Sequence, residues 1–382
     1  MIPQEWDSPT LGDLFTFKNG LNKAKKFFGY GTPIVNYMDV YGNRRLFACE
    51  LRGRVSLSKE ELKNFEVKKG DVFFTRTSET AAEVGMSSVM LDETVDTVFS
   101  GFVLRARPRD DSLDDRFKQY CFSTTSVRKQ ITSRSTETTR ALTSGRALSV
   151  VMIARPPKPE QRAIADALGN VDAMLGALDA TLTKKRALKQ AAMQQLLTGH
   201  TRLPGFYGDW NVTQLSAVCS MKSGEGITSA HIDLFSQYPC YGGNGLRGFA
   251  SRFTHEGAYA LIGRQGALCG NVIGVEGRFF ASEHAIVATA RPQTDIRWLT
   301  YVLGEMRLNQ YTESSAQPGL SVSKLLTLHV VVPPTRDEQS AIAEVLSDMD
   351  AEIEALEARR DKTRALKQAM MQELLVGRTR LI

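Results

Sequence analysis

With 382 residues, 42% hydrophobic and 24% charged, the chain has the length of two or three domains and the composition of a globular protein. No apolar run approaches the roughly 20 residues that cross a bilayer, and the opening MIPQEWDSPT has neither the basic region nor the apolar core of a secretory signal, so a soluble cytoplasmic protein is expected. The net charge of +6 favours a polyanionic partner, and five scattered cysteines without a C-x-x-C pair argue against a disulfide framework and against thiolate zinc.

The first block, residues 1–155, carries 24 Lys+Arg against 19 Asp+Glu. Runs such as GDVFFTRTSE (Gly70–Glu79) and TVFSGFVLRARP (Thr97–Pro108) read as strands and hairpins, with helix around DDRFKQYCFSTTSVRKQI and a closing strand LSVVMIARPP. Base edges in a groove are read by Arg or Lys at guanine, by Asn or Gln at adenine, and by Ser or Thr at either. Those types occur here at Asn36 on an early turn, at Thr75-Arg76-Thr77 after a strand, and at Arg134 and Arg140 in SRSTETTR.

Residues 156–203 read as a long helix. Pro156, Pro157 and Pro159 precede it, Glu160 lies in its first turn, and Gly199 sits where a C′ glycine belongs. Ile164, Leu168, Val171, Leu175, Leu178 and Leu182 are spaced 4, 3, 4, 3, 4, which is a coiled-coil seam. Glu160 to Thr198 is 39 residues, so the helix is about 58 Å long at about 1.5 Å per residue.

The second block, residues 204–332, balances 9 Lys+Arg against 9 Asp+Glu, so any nucleic-acid contact has to rest on locally placed groups. GAYALIGRQGALCGNVIGV (Gly257–Val275) reads as strands, DIRWLTYVLGEMRLNQY as helix and LLTLHVVVPP as the closing strand. Candidate base contacts fall on the turn YGGNG at Tyr241 and Asn244, at Arg264-Gln265, and at Gln317 in ESSAQPG.

Residues 333–382 repeat the helix. Thr335 is the expected N-cap with Glu338 completing a capping box, and Ile342, Leu346, Met349, Ile353 and Leu356 continue the seam. RALKQAAMQQLLTG at Arg186 returns as RALKQAMMQELLVG at Arg364, and 364 minus 186 sets an offset of 178 that holds without a gap from Glu160-Gln161 to Leu203. A weaker register, 210 minus 6 or 204, joins the block openings through Trp6 and Trp210. Two such units suggest pseudo-twofold symmetry. If the helices run antiparallel, two dissimilar readers are held apart by a distance of about 17 base pairs at 3.4 Å each.

A spacer needs periodicity but not identity, so the near-verbatim repeat suggests two copies of one docking surface. On the first helix these are Lys184, Arg186, Leu188, Lys189, Gln190, Met193 and Leu197; on the second, Lys362, Arg364, Leu366, Lys367, Gln368, Met371 and Leu375. The apolar members form a second edge beside the seam, which asks for a further partner.

Catalytic signals are absent: no Walker A loop, no [DNS]-P-P-[FYW] methyltransferase tetrapeptide, and no metal spacing among five histidines. The tripeptide Glu66–Lys68 matches a carboxylate–lysine nuclease only in its loosest form. A variable block, then P-P-x-x-E-Q, then a long helix ending L-L-x-G-x-x-R-L, all doubled, resembles the specificity (S) subunit of type I restriction–modification systems. The openings EWDSPTLGDLFTFKNG and DWNVTQLSAVCSMKSG look like the starts of that family's target-recognition domains.

The resemblance implies an α+β fold: target-recognition domains at 1–155 and 204–332, separated by helices at 156–203 and 333–382 that form an antiparallel coiled coil. It implies a non-catalytic DNA-reading subunit, each domain reading half of an asymmetric bipartite site. Two modification subunits would dock on the chain and bring S-adenosylmethionine to methylate adenine N6. Restriction subunits would add ATP- and Mg-dependent cleavage, and the chain itself would hold no cofactor or metal. The alternatives are a fused methyltransferase or nuclease, and a two-headed scaffold not specific for DNA.

Overall fold

The computed structural model describes residues 3–137, 140–266, 268–312 and 319–381. They form two compact units, Met1–Leu178 with Arg359–Ile382, and Asp179–Ala358. Each long helix, Lys158–Leu196 and Arg336–Leu374, gives one half to each unit.

In the first unit, strands Phe15–Asn19, Val103–Pro108, Val72–Thr75, Ser87–Met90 and Arg45–Leu46 lie side by side in that order. The central run Val72–Thr75 is buried throughout because the sheet has a core on both faces. Val72 and Phe74 point into one core with Phe15, Leu104, Phe117, Ile164, Leu168 and Leu374, while Phe73 points into another with Val35, Met90 and Phe99. That alternation is the period of two that a strand imposes. The helices Asp115–Cys121 and Thr125–Ser133 start at Asp114 and Thr124, whose side chains accept backbone N–H bonds.

In the second unit, a six-stranded sheet runs Cys219–Ser223, Ala285–Ala290, His255–Gly263, Val272–Ala281, Tyr238–Gly242, Gly245–Ala250. A separate ribbon pairs Asn211–Gln214 with His329–Val332, tying the start of the block to its end. The helix Ile296–Glu305, capped by Asp295, buries Trp298, Leu299 and Leu303 in a core shared with Ile342, Ala343 and Leu346.

The helix halves run antiparallel within each unit. In the first, Lys367 bonds Asp172 and Arg380 grips Glu160; in the second, Lys189 bonds Asp350 and Arg202 grips Glu338. Partner numbers rise on one helix as they fall on the other. The 39-residue length matches expectation, although the first helix starts at Lys158, since a proline fits the first turn where no N–H bond is lost. Gly377, at φ +75°, ends the second helix in a Schellman motif: Arg378 N–H bonds the Glu373 carbonyl at 2.9 Å and Gly377 N–H that of Leu374 at 3.3 Å.

Three sequence expectations change. Thr335 Oγ1 does accept the Glu338 N–H at 3.3 Å, but the Glu338 carboxylate turns to Arg202 Nε at 2.6 Å and Trp210 Nε1 at 3.4 Å rather than completing the box. Met193 and Leu197 pack into the second core, and Met371 and Leu375 into the first, so the extra apolar edge is covered by the chain's own blocks except at Leu188 and Leu366. Lys189 and Lys367 are likewise occupied. Tyr301 Oη bonds Asp350 Oδ2 at 2.7 Å beneath Lys189, and Tyr120 Oη bonds Asp172 Oδ2 at 2.8 Å beneath Lys367. The repeated lysine, methionine and leucine at these positions therefore form two equal clamps on two unlike blocks.

Glu160 gives the first clamp a pH dependence. Burial alone would raise its carboxyl, but bonds from Arg380 and Trp6 outweigh this and hold it below its ordinary 4.5. A depressed folded-state value stabilises the fold above the unfolded value and is lost as pH falls through the folded one. Denaturant midpoints are expected to hold from neutrality down to about pH 5 and then drop, with the drop reduced in Glu160→Gln.

Candidate nucleic-acid interface

One end of each sheet carries a cluster of three loops, and the backbone bonds that build it are the same in both units. In the first, Arg76 N–H bonds the Phe102 carbonyl at 3.0 Å, Thr143 N–H bonds the Arg76 carbonyl at 2.9 Å, and Ser100 N–H bonds the Val35 carbonyl at 2.9 Å. In the second, Arg264 N–H bonds His284 at 2.9 Å, Leu320 N–H bonds Arg264 at 3.0 Å, and Ser282 N–H bonds Tyr241 at 2.8 Å. Leu21 N–H to Phe99 and Glu225 N–H to Ala281, each 2.9 Å, complete the frame. Matched frames thus present unlike side chains.

Gly243 and Gly263 show how tightly the second cluster closes: a Cβ on Gly263 would lie 2.4 Å from the Gly243 carbonyl oxygen, and one on Gly243 would lie 2.9 Å from that of Gln265. Only glycine permits such approach. Around this frame Asn244 is exposed on the turn between two strands, Tyr241 sets its ring edge-on to Phe279, and Gln265 Oε1 meets His284 Nδ1 at 3.2 Å. Arg264 is half-buried, and Gln317 lies outside the described residues.

In the first cluster Thr77 and Arg140 flank one recess, beside Asn36, which opens the helical turn Tyr37–Val40. Arg76 is half-buried, with Nη1 3.5 Å from the Gly101 carbonyl. Thr75 is a correction: it is 0% exposed, and its hydroxyl accepts the Met86 N–H at 2.9 Å and donates to the Glu83 carbonyl at 3.3 Å, so it braces a loop. Arg134 is exposed, but Nη1 bonds the Gln130 carbonyl at 3.0 Å at its own helix end. Sequence reasoning missed Phe102 and His284, the matched tips of the two turns; Phe102 is 63% exposed despite its apolar ring. The only available signals were a glycine before one and a Ser-Glu turn before the other.

On the helices, the expected docking residues divide in the same way in both copies. Lys184, Arg186, Leu188 and Gln190 are exposed, as are Lys362, Arg364, Leu366 and Gln368. Leu188 and Leu366, at 47% and 56% exposed, are apolar side chains that their own units leave uncovered. Arg186 pairs with Glu357, whereas Arg364 stands 3.7 Å from Asp361.

Nothing in the described geometry assembles a nuclease. Glu66 sits 3.1 Å from Lys68 and 3.8 Å from Arg107, and its carbonyl accepts from Arg105 and Arg107, a bracing role for the sheet. No group of His, Cys, Asp or Glu among the described residues could hold a metal ion, and no helix among them is long and apolar enough to cross a membrane.

Comparison with known proteins assigns the class. Residues 3–186 and 207–363 match the model of the type I restriction modification DNA specificity domain, and the chain belongs to that family. Over 140 residues it is 44% identical to the specificity subunit of the type I restriction enzyme EcoprrI of Escherichia coli, an alignment covering 36% of this chain and 35% of that relative's length. The fold is shared with the type I restriction–modification S subunit of M. genitalium, with TM-score 0.65, 17% identity and 98% and 96% of the two chains covered. It is also shared with a chain from a structure of complex assembly and conformational transition of the type I R-M system, with TM-score 0.57, 15% identity and 99% and 100% covered. The scaffold reading unrelated to DNA finds no support in these matches.

Proposed function

We propose that the chain is the DNA-reading subunit of a type I restriction–modification complex and catalyses nothing itself. Each three-loop cluster reads one half of an asymmetric, gapped site, and the helices shared by both units set the gap. Two adenine-N6 methyltransferase subunits, carrying S-adenosylmethionine, seat on the surfaces around Leu188 and Leu366. Restriction subunits supply ATP- and Mg-dependent cleavage, and the whole works in the cytoplasm. The observation that carries this reading is the recurrence of one loop frame bearing different exposed side chains, as two unlike half-sites require.

Mapping N6-methyladenine across the source genome, with and without this gene, tests it. A gapped asymmetric motif that vanishes on deletion is expected, and an unchanged methylation pattern overturns the reading. Within that motif, Arg264→Ala is expected to weaken binding by about 1–3 kcal/mol and to relax one position of one half-site only. Competition binding with single-position variant duplexes checks it, and a uniform loss over all positions would make Arg264 a phosphate contact instead.

A further inference from the structure

Beside the loop cluster of the first unit lies a recess of about 380 Å³. Its wall is aromatic: Tyr37 and Tyr41 stack with centroids 5.6 Å apart and planes 17° from parallel, and Phe102 stands at the rim. Its polar group is Glu83, held at both oxygens, with Tyr41 Oη donating to Oε1 at 2.7 Å and Ser78 Oγ to Oε2 at 3.0 Å. These bonds, chiefly that of Tyr41, also keep the carboxyl below its ordinary range. Glu83 is therefore a fixed anionic acceptor.

These features select a ligand. A side chain that reads a base in a groove has to protrude, and a recess reaches no groove edge. Glu79 and Glu83 against Arg140 give the lining more negative than positive charge, which makes it a poor seat for phosphate. A flat ring carrying N–H donors suits it: aromatic faces stack with a base and a carboxylate accepts from its amino group. Phe102 is exposed, apolar and on a turn, the placement of a wedge that occupies a vacated position in a base stack.

We propose that this recess takes one amino-bearing nucleobase turned out of the duplex, with Tyr37 and Tyr41 as stacking surface, Glu83 as acceptor and Phe102 as wedge. The proposal rests on the DNA-reading function above and adds a step to it, since bases read in a groove stay in the stack.

The experiment measures binding of the chain, assembled with its methyltransferase subunits, to duplexes of its own motif in which one pair at a time is mismatched by changing one strand. A mismatch at a groove-read pair weakens binding about 5- to 150-fold. Where a base is turned out, a mismatch that keeps that base removes the unpairing cost and tightens binding by roughly tenfold. Besides the adenine that each methyltransferase subunit turns out for methylation, which the motif map identifies, one further such position is expected in the half-site read by the first unit. Phe102→Ala and Tyr37→Ala should abolish the tightening, Tyr37→Phe should keep it, and far-UV circular dichroism should match the parent chain in all three. Selective DNA binding in which no mismatch outside the methylated adenines tightens overturns the base-turning step alone. Absence of any selective duplex binding overturns both that step and the DNA-reading function.

Discussion

Replacing Glu338 by alanine is expected to lower the stability of the second unit by about 3 kcal/mol, at the lower end of the range for breaking a buried ion pair. The Glu338 side chain is 1% exposed, and its carboxylate receives Arg202 Nε at 2.6 Å and Nη2 at 2.8 Å. Trp210 Nε1 reaches it too, at 3.4 Å. Truncation leaves the guanidinium without its partner, but Arg202 keeps 25% side-chain exposure, so water recovers part of the loss. Amide exchange against urea, read separately over residues 204–332 and 1–155, is the measurement. Protection should fail earlier in the second block alone, and a change below about 1 kcal/mol would show that the clamp contributes little.

Two leucines on the second long helix should behave oppositely. Leu346 is 0% exposed within the core of the second unit, so Leu346→Ala is expected to cost about 2–5 kcal/mol from lost burial and a cavity. Leu366 is 56% exposed, and Leu366→Ala should stay within about 0.5 kcal/mol of the parent. Its effect should appear in assembly, as weaker capture of the methyltransferase subunit by an otherwise stable chain. Urea melts of both variants, with a titration of the partner against Leu366→Ala, check this. Stable variants that assemble normally at both Leu188 and Leu366 would remove the docking proposal.

Much of the site was legible at its edges and blurred in the middle. The offset of 178 and the offset of 204 mark the same repeat, and the backbone bonds supply the steps between them. Leu21 answers to Glu225 at 204, Arg76 to Arg264 at 188 (264 minus 76), and Ser100 to Ser282 at 182 (282 minus 100). Loops of unequal length separate equal frame positions, so the register drifts along the block and no single shift aligns it. A backbone hydrogen bond constrains main-chain position while leaving the side chain free, which is why the frame recurs where the residues do not.

The helices carried the opposite lesson. Period and caps depend on neighbouring residues, so helix length, the seam and the glycine ends could be read directly from the order of residues. Repetition alone could not tell an outward surface from an inward clamp. Lys189 and Lys367 read as docking groups until Asp350 with Tyr301, and Asp172 with Tyr120, were found against them. Thr75 read as a base contact until its hydroxyl was found bracing its own loop.

By itself the order of amino acids determined a doubled chain with two long helices and two unlike β-rich blocks, because periodicity, capping and repetition are local properties. Which repeated residues stay on the surface, which loops meet, and that Tyr37, Tyr41, Glu83 and Phe102 surround one recess were decided only by tertiary structure. Burial and convergence depend on chain segments tens of residues apart, and no short-range pattern encodes where those segments meet.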